Sequence, residues 1–316
     1  MTIISTNISK AKFSWLVLAL LFVSQTRAQT STDSIPSDLD VVSVDTSLVT
    51  VNVSVMDHKN RHVPSLQLQD FQLTDEGKVV TPAFFDHQGP VSIVFVVDLS
   101  SSMKGNKWKN LRTGMKHFLM NSREGSDYTL IAFNERPRLV IADTNAEQLW
   151  KSFDSLTPNG ETALYDAMLL GLEMLDRTSQ RHKALVLLSD GEDNCSQAGL
   201  AVVEQQVLAH RATIFPVGIM IDGRLAPYQP NGRKLLDDLA KGTGGSAFFP
   251  APDQLPAALQ SIRTDIGNQY SLSYYPPDKV AGWRRVQVTL ASSSKDIHLR
   301  YQQHYLMTVR NSVNMN

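Results

Sequence analysis

A single cysteine, Cys195, stands in the 316 residues, so no disulfide can close within this chain and the fold must be held by its core. Cys195 itself is open to two readings, a redox-sensitive thiol and a tolerated loop residue, and a bridge to another molecule has no other support. Net charge is equally scant, −1 at pH 7, with a pI near 6.7. That balance excludes broad electrostatic binding to nucleic acid or anionic membrane, and partner choice must come from local sites. Neither Gly-x-Ser-x-Gly nor His-Glu-x-x-His occurs, so a serine hydrolase or zinc protease has no basis. His58, His62 and His87 are scattered at no ligand spacing and read as solvated surface residues. The run from Gly242 to Gly245 follows a helical pattern instead of opening one and lacks a Lys-Ser/Thr pair, which rules out a phosphate loop.

What the chain does have is core-forming material, 42% hydrophobic residues. Residues 1–28 read as a secretory signal. Lys10 and Lys12 give a positive start, Phe13 to Ser24 an apolar stretch, and Thr26-Arg27-Ala28 a cleavage context. The apolar stretch is shorter than the roughly 20 residues of a membrane span. Export to the periplasm or the exterior is therefore expected, with an uncleaved anchor as the alternative. No cysteine stands at the cleavage site, so lipoprotein acylation is excluded. Residues 29–40 form a polar, aperiodic lead.

The chain centres on Pro90 to Met103, PVSIVFVVDLSSSM. Ile93 to Val97 is a continuous β-branched and aromatic run, too short for a helix, and predicts a buried parallel strand that ends in Asp98. Ser100 and Ser102 follow at that strand's carboxyl end, the edge where open α/β sheets bind ligands. All three side chains offer oxygen, a set suited to a hard divalent cation, Mg²⁺ before Zn²⁺. The competing reading makes Ser100 or Ser102 a helix cap and Asp98 an acceptor of backbone amides. Two further stretches supply oxygens in matching places. Thr162 opens the helical pattern after NGE, where it is also a candidate N-cap, and Asp190 ends a second apolar strand, KALVLLSD.

Asp-x-Ser-x-Ser, a downstream Thr and a strand-terminal Asp together resemble the metal-ion-dependent adhesion site of von Willebrand factor type A domains. The flanking segments, VTVNVSVMDHKNRHVPSLQLQDFQLTDEGK before the site and NQYSLSYYPPDKVAGWRRVQVTL after it, resemble the bacterial secreted VWFA-related domain family over roughly residues 40–306. The resemblance implies that Ser100, Ser102 and Thr162 are hydroxyl ligands of Mg²⁺ (or Mn²⁺ or Ca²⁺), with Asp98 and Asp190 acting through water and hydrogen bonds. It also implies a protein partner that presents an Asp or Glu carboxylate to the metal.

The expected fold class is α/β, a doubly wound, mainly parallel sheet flanked by a small β-sandwich-like domain formed from N- and C-terminal strands. Alternation of Val49, Val51, Val53 and Val55 against Thr50, Asn52 and Ser54 predicts a half-buried antiparallel strand, and a β domain is expected over 41–88. Strands alternating with helices mark 90–268 as the α/β domain. Within it, strands are expected at 92–98, 127–133, 138–142, 184–189, 212–219 and 246–249. Helices are expected at 106–120, 146–153, 163–177, 198–210, 232–241 and 252–268. Glu192 and Asp193 read as solvent-exposed, and the loop 221–231 falls on the ligand edge. Alternation returns over 269–306 as three strands, in which Tyr270, Tyr274, Tyr275 and Trp283 either pack on the first β domain or form an exposed strip. Residues 307–316 read as a frayed tail.

The expected function is an exported, metal-dependent protein-binding module, not an enzyme. One alternative is a Mg²⁺-assisted phosphohydrolase with Asp98 as nucleophile, weakened because Ser100 stands where such enzymes carry a second Asp. Another is a scaffold whose metal site is structural.

Overall fold

The computed structural model describes residues 48–190, 193–220, 232–291 and 296–308. The expected signal segment, the polar lead, Glu192, the loop 221–231 and the tail beyond Thr308 lie outside the described residues. The described residues open with four strands, β1 (Val49–Asp57), β2 (Phe71–Asp75), β3 (Lys78–Val80) and β4 (Phe84–His87). The alternating part follows: β5 (Ser92–Asp98), α1 (Asn106–Met120), β6 (Asp127–Phe133), β7 (Pro137–Thr144), α2 (Ala146–Asp154) and α3 (Leu164–Arg177). It continues through β8 (Lys183–Ser189), α4 (Leu200–Ala209), β9 (Thr213–Gly218), α5 (Gly232–Gly242) and α6 (Leu255–Gly267). The last strands are β10 (Tyr270–Tyr274), β11 (Gly282–Leu290), β12 (Ile297–Arg300) and β13 (His304–Met307).

The alternating part forms a five-stranded sheet in the order β7-β6-β5-β8-β9. β5 pairs in parallel with β6 and β8, β8 with β9, and β7 closes one edge antiparallel to β6. Every residue of β5 is buried, as its unbroken apolar run requires. Phe95 and Val97 face a core shared with Leu111 and Met115 of α1, Phe153 of α2 and Leu259 of α6. Val94 and Val96 face a second core with Met168 of α3, Val203 of α4 and Leu236 of α5. The sheet is thus covered on both faces, the doubly wound arrangement expected. On the second face α3 sits close: a Cβ at Gly171 would lie 2.8 Å from Leu185 Cδ1 and 2.9 Å from Val96 Cγ2. The strand expected at 246–249 is reduced to one bridge, Val217 to Phe248.

Two four-stranded antiparallel sheets, β12-β1-β10-β4 and β13-β11-β2-β3, enclose a separate core in which Val51 and Val53 meet Leu73, Tyr270, Val286 and Val288. N- and C-terminal strands interleave in both sheets, since neither segment has strands enough to close a sandwich alone. The third expected C-terminal strand is split into β12 and β13. Tyr270 and Tyr274 are buried, whereas Tyr275 and Trp283 stay about half exposed at 48% and 49%.

β1 corrects one expectation. It is not half-buried, because Asn52 and Ser54 on its polar face are also covered. Ser54 Oγ donates to Asp265 Oδ1 of α6 at 3.1 Å, and Arg300 Nη2 donates to Asp265 Oδ2 at 2.6 Å. Gln269 links Ser54 at 3.2 Å to His182 at 2.9 Å. This polar seam joins the sandwich to the α/β layer, and burial pushes the His182 imidazole down to about 4. His62 and His87 also depart from the expected solvated role. His62 Nε2 lies 3.7 Å from Asp265, and the ring of His87 stacks on Tyr270 at 4.1 Å. His58 is exposed, as expected.

The sandwich core holds one ionic cluster. Asp75, fully buried, accepts from Arg284 Nε at 3.0 Å, Tyr274 Oη at 3.2 Å and Tyr305 Oη at 2.8 Å. Removing one member of such a pair leaves a buried charge uncompensated, which costs about 3–5 kcal/mol. Asp75→Ala is therefore expected to lower the unfolding free energy by about that amount, read as a shifted urea midpoint. A shift below about 1 kcal/mol would show that the cluster contributes little beyond an exposed pair.

Candidate metal centre

Parallel pairing of β5 with β8 brings Val97 opposite Leu188, so the two strands end together and deliver Asp98 and Asp190 to the same sheet edge. Both carboxylates are almost wholly buried, at 0% and 1% exposure. Asp98 Oδ1 accepts the Ser100 amide at 2.7 Å and Oδ2 accepts Ser189 Oγ at 2.7 Å. Burial, reinforced by the neighbouring Asp190 charge, pushes the Asp98 carboxyl up to about 7 against these hydrogen bonds.

The segment after β5 turns through a short 3₁₀ helix, Ser101–Met103. Ser100 occupies its N-cap position without making a side-chain cap bond. Instead, the hydroxyls of Ser100 and Ser102 lie 2.8 Å apart, Ser100 buried and Ser102 exposed. The capping role is likewise absent at Thr162: the N-cap of α3 is Ala163, and no side-chain cap bond is made there. The loop that carries Thr162 is pinned to the serine turn. Ser101 N donates to Gly160 O at 2.9 Å, and Gly160 N donates to Ser101 Oγ at 3.1 Å. A second clamp comes from Asn194, whose Oδ1 accepts Thr162 N at 2.9 Å and whose own amide donates to Thr162 O at 3.0 Å. Asp193, expected to be solvent-exposed, is half-buried and accepts Tyr165 N at 3.3 Å at the start of α3.

The five oxygen-bearing residues read from the sequence thus fall at one edge. Asp98 is bonded to Ser100, Ser100 to Ser102, Asp190 is close enough to act on Asp98, and Thr162 is held on the loop tied to Ser101. Sequence reasoning missed Asn194, Ser189 and, above all, Lys107. Lys107 Nζ donates to Asp190 Oδ2 at 3.1 Å, with 8% of its side chain exposed. A signal for it existed: Lys107, Leu111, Met115 and Phe118 share helical spacing, which puts a charge on the buried face of α1. Two buried carboxylates face one buried ammonium, so the group carries one negative charge when Asp98 is ionised.

Whether such a group suits a divalent cation can be tested on three observations. Among the described residues Asp190 Oδ1 is buried without a hydrogen-bond partner, an arrangement that costs free energy unless a cation or water completes it. The 2.8 Å spacing of the two serine oxygens is close to the roughly 3 Å between neighbouring ligands of an octahedral ion with about 2.1 Å bonds. The donor set is all oxygen, which selects hard ions. Among the described residues no three His, Cys, Asp or Glu side chains group as a metal site. A site built here would therefore be of the hydroxyl-rich kind, with the carboxylates set back. Asp98, Ser100, Ser102, Thr162 and Asp190 fit a small hard cation on these grounds.

Cys195 is exposed, and its Sγ lies 3.7 Å from Glu135 O. Burial and three nearby carboxylates push its thiol above the usual range, which disfavours the reactive thiolate of a redox sensor.

Known proteins resemble this chain in sequence and fold. A family model described as von Willebrand factor type A domain matches residues 93–192. Inter-alpha-trypsin inhibitor heavy chain H4 of Homo sapiens is 27% identical over 196 residues, covering 57% of this chain and 20% of that protein. The H2 heavy chain of Mus musculus is 26% identical over 149 residues, 42% of this chain and 16% of that one. This chain therefore spans about a fifth of the curated relatives it matches. Among solved structures, the von Willebrand factor type A protein from Catenulispora acidiphila superposes with a TM-score of 0.50 at 13% identity, over 84% of this chain and 74% of that one. The doubly wound sheet and the matched segment, from β5 to just past Asp190, make this part of the chain similar in sequence and fold to von Willebrand factor type A domains.

Proposed function

We propose that the domain is a metal-dependent protein-binding module in which Ser100, Ser102 and Thr162 hold Mg²⁺ or Mn²⁺ while Asp98 and Asp190 stand one shell back. Domains of this type are commonly metal-dependent protein-interaction modules. The observation that carries the proposal is the Asp190 carboxylate, buried, with one oxygen on Lys107 and the other without a partner among the described residues, at the sheet edge that also carries the paired serine hydroxyls. A dication would turn the group's single negative charge into a net positive one. Neutral hydroxyl ligands leave that charge undiminished, so an open coordination position attracts an anionic oxygen, such as an Asp or Glu carboxylate of a partner protein. Ser102 is exposed and marks the side from which that carboxylate enters. The signal-like segment 1–28 supports a secreted or periplasmic location for this binding.

Asp98 is poorly disposed to act as a phosphohydrolase nucleophile. Both of its oxygens accept hydrogen bonds, from Ser100 N and Ser189 Oγ, and its side chain is fully buried. A covalent nucleophile needs a lone pair facing substrate.

Two outcomes test the proposal. Mg²⁺ or Mn²⁺ is expected to raise the melting temperature of the wild-type protein over that in chelator, and Ser102→Ala and Thr162→Ala to abolish most of the increase. A wild-type protein with no response to either metal would remove the binding role. The second outcome concerns pH. A carboxyl whose native pKa lies near 7, above its unfolded value of 3.8, keeps its proton in the native state where the unfolded chain has lost it. Its contribution therefore makes the metal-free protein less stable as pH rises through that interval, with no further change above about 7. Asp98→Asn removes this contribution, so the melting-temperature difference between variant and wild type in chelator should grow from pH 5 to about 7 and then level. Because the metal must displace the proton, affinity measured by calorimetry should rise up to about tenfold per pH unit below 7. A pH-independent affinity would exclude Asp98 from the site.

A further inference from the structure

Helix α1 carries an unusual charge pattern. Between Asp98 and Glu124 the chain has no acidic residue, yet it holds Lys104, Lys107, Lys109, Arg112, Lys116 and Arg123. Lys107 is turned inward to Asp190. Lys109, Arg112 and Lys116 recur at helical spacing along the opposite, outer side, where Lys109 and Lys116 are exposed. On α2, α3 and α5 most cations are matched within the helix, whereas Arg263 of α6 bonds only Gln260 and Asn121 O. Lys151 pairs with Glu147, Arg177 with Glu173, Lys234 with Asp238 and Lys241 with Asp237. On α1 the only carboxylate partner of an outward cation is Asp154, bonded to Arg112, among the described residues. Lys104 reaches only Asn159 Oδ1, at 3.5 Å.

These cations flank a groove of about 360 Å³ that starts at Gly105, three residues beyond Ser102, and runs along α1 to Lys116. Its apolar wall is Trp108 and Trp150, and Lys116 Nζ lies 5.8 Å from the Trp150 ring centre. Eleven residues of helix span about 17 Å, the reach of about five residues of extended peptide. A line of three cations with one carboxylate partner among the described residues, an aromatic floor and continuity with the serine turn describe a receptor for one kind of occupant.

We propose that this groove binds an extended acidic protein segment with an aromatic or other apolar side chain, contiguous with the residue whose carboxylate reaches the metal. The proposal rests on the metal-binding reading for its anchor but not for the groove itself. Glutamates or aspartates along the segment meet Lys109, Arg112 and Lys116, and the apolar side chain packs on Trp108 and Trp150. Arg112 exchanges Asp154 for the partner, or holds both.

The test uses the full chain and a fluorescein-labelled peptide, Glu-Asp-Phe-Glu-Glu-Phe-Glu, against its Gln/Asn counterpart, with fluorescence polarisation read in Mg²⁺ and in chelator. The acidic peptide is expected to bind in both buffers, more tightly in Mg²⁺ and less tightly as salt rises. The double variant Lys109→Glu, Lys116→Glu, at two exposed positions, should weaken it at least about tenfold in both buffers while leaving the Mg²⁺ shift in melting temperature intact. Trp150→Ala should weaken it as well. Ser102→Ala should remove only the Mg²⁺-dependent increment. Equal affinity for the two peptides, or no loss in the double variant, would overturn the groove and leave the metal reading standing. Charge-sensitive binding with no Mg²⁺ increment would keep the groove and remove the metal anchor. Heparin binding more tightly than the acidic peptide, with the same dependence on Lys109 and Lys116, would replace the protein segment by a sulfated polysaccharide.

Discussion

Two carboxylates that end neighbouring parallel strands are held out of water with a single ammonium bonded to one of them, and the arrangement of this edge follows from that constraint. β5 and β8 cannot be parted without breaking the centre of the sheet, so Asp98 and Asp190 cannot move apart to relieve their repulsion. What can change is the charge around them. Asp98 is compensated by one amide and one hydroxyl, Asp190 by Lys107, and the residual need is met by a proton or by a cation. A site of this kind is poised between two occupants, and the pH of the surroundings weights the choice.

The rest of the fold holds this edge rigid. Loop contacts from Gly160 to Ser101 and from Asn194 to Thr162 make the hydroxyl-bearing segments one body, although they lie about 60 residues and 30 residues apart in sequence. Further down, the polar seam of Ser54, Asp265, Gln269 and Arg300 fastens α6 to the sandwich. The sandwich is therefore more than an appendage: one face of β1 forms its core and the other forms the seat of the α/β layer. The outer side of α1 stands apart from this closed network: Arg112 bonds Asp154, and Lys109 and Lys116 have no carboxylate partner among the described residues.

Much of the fold was legible because its elements obey short-range rules. The unbroken apolar run of β5, the alternation of β1 and the helical spacing of α1 and α3 each report a local environment directly. The misses have a common cause. A strand at 246–249 has strand-like composition but little backbone to pair with, and Asn52, Ser54, His62 and His87 look like surface residues because the groups that cover them come from segments remote in sequence. Polarity signals solvent only when no partner waits elsewhere in the fold.

The chain's order of residues by itself determined which oxygens reach the ligand edge, since strand ends and the short spacings after them are local properties. It also determined that both termini would supply strands to one sandwich. Tertiary structure alone decided that Lys107 pairs with Asp190, that one Asp190 oxygen has no partner among the described residues, that Thr162 is released from capping, and that Lys109 and Lys116 of α1 face outward without a carboxylate partner among those residues. Each of these depends on distances between segments far apart along the backbone, and a hydrogen bond or an ion pair exists only once folding has set those distances.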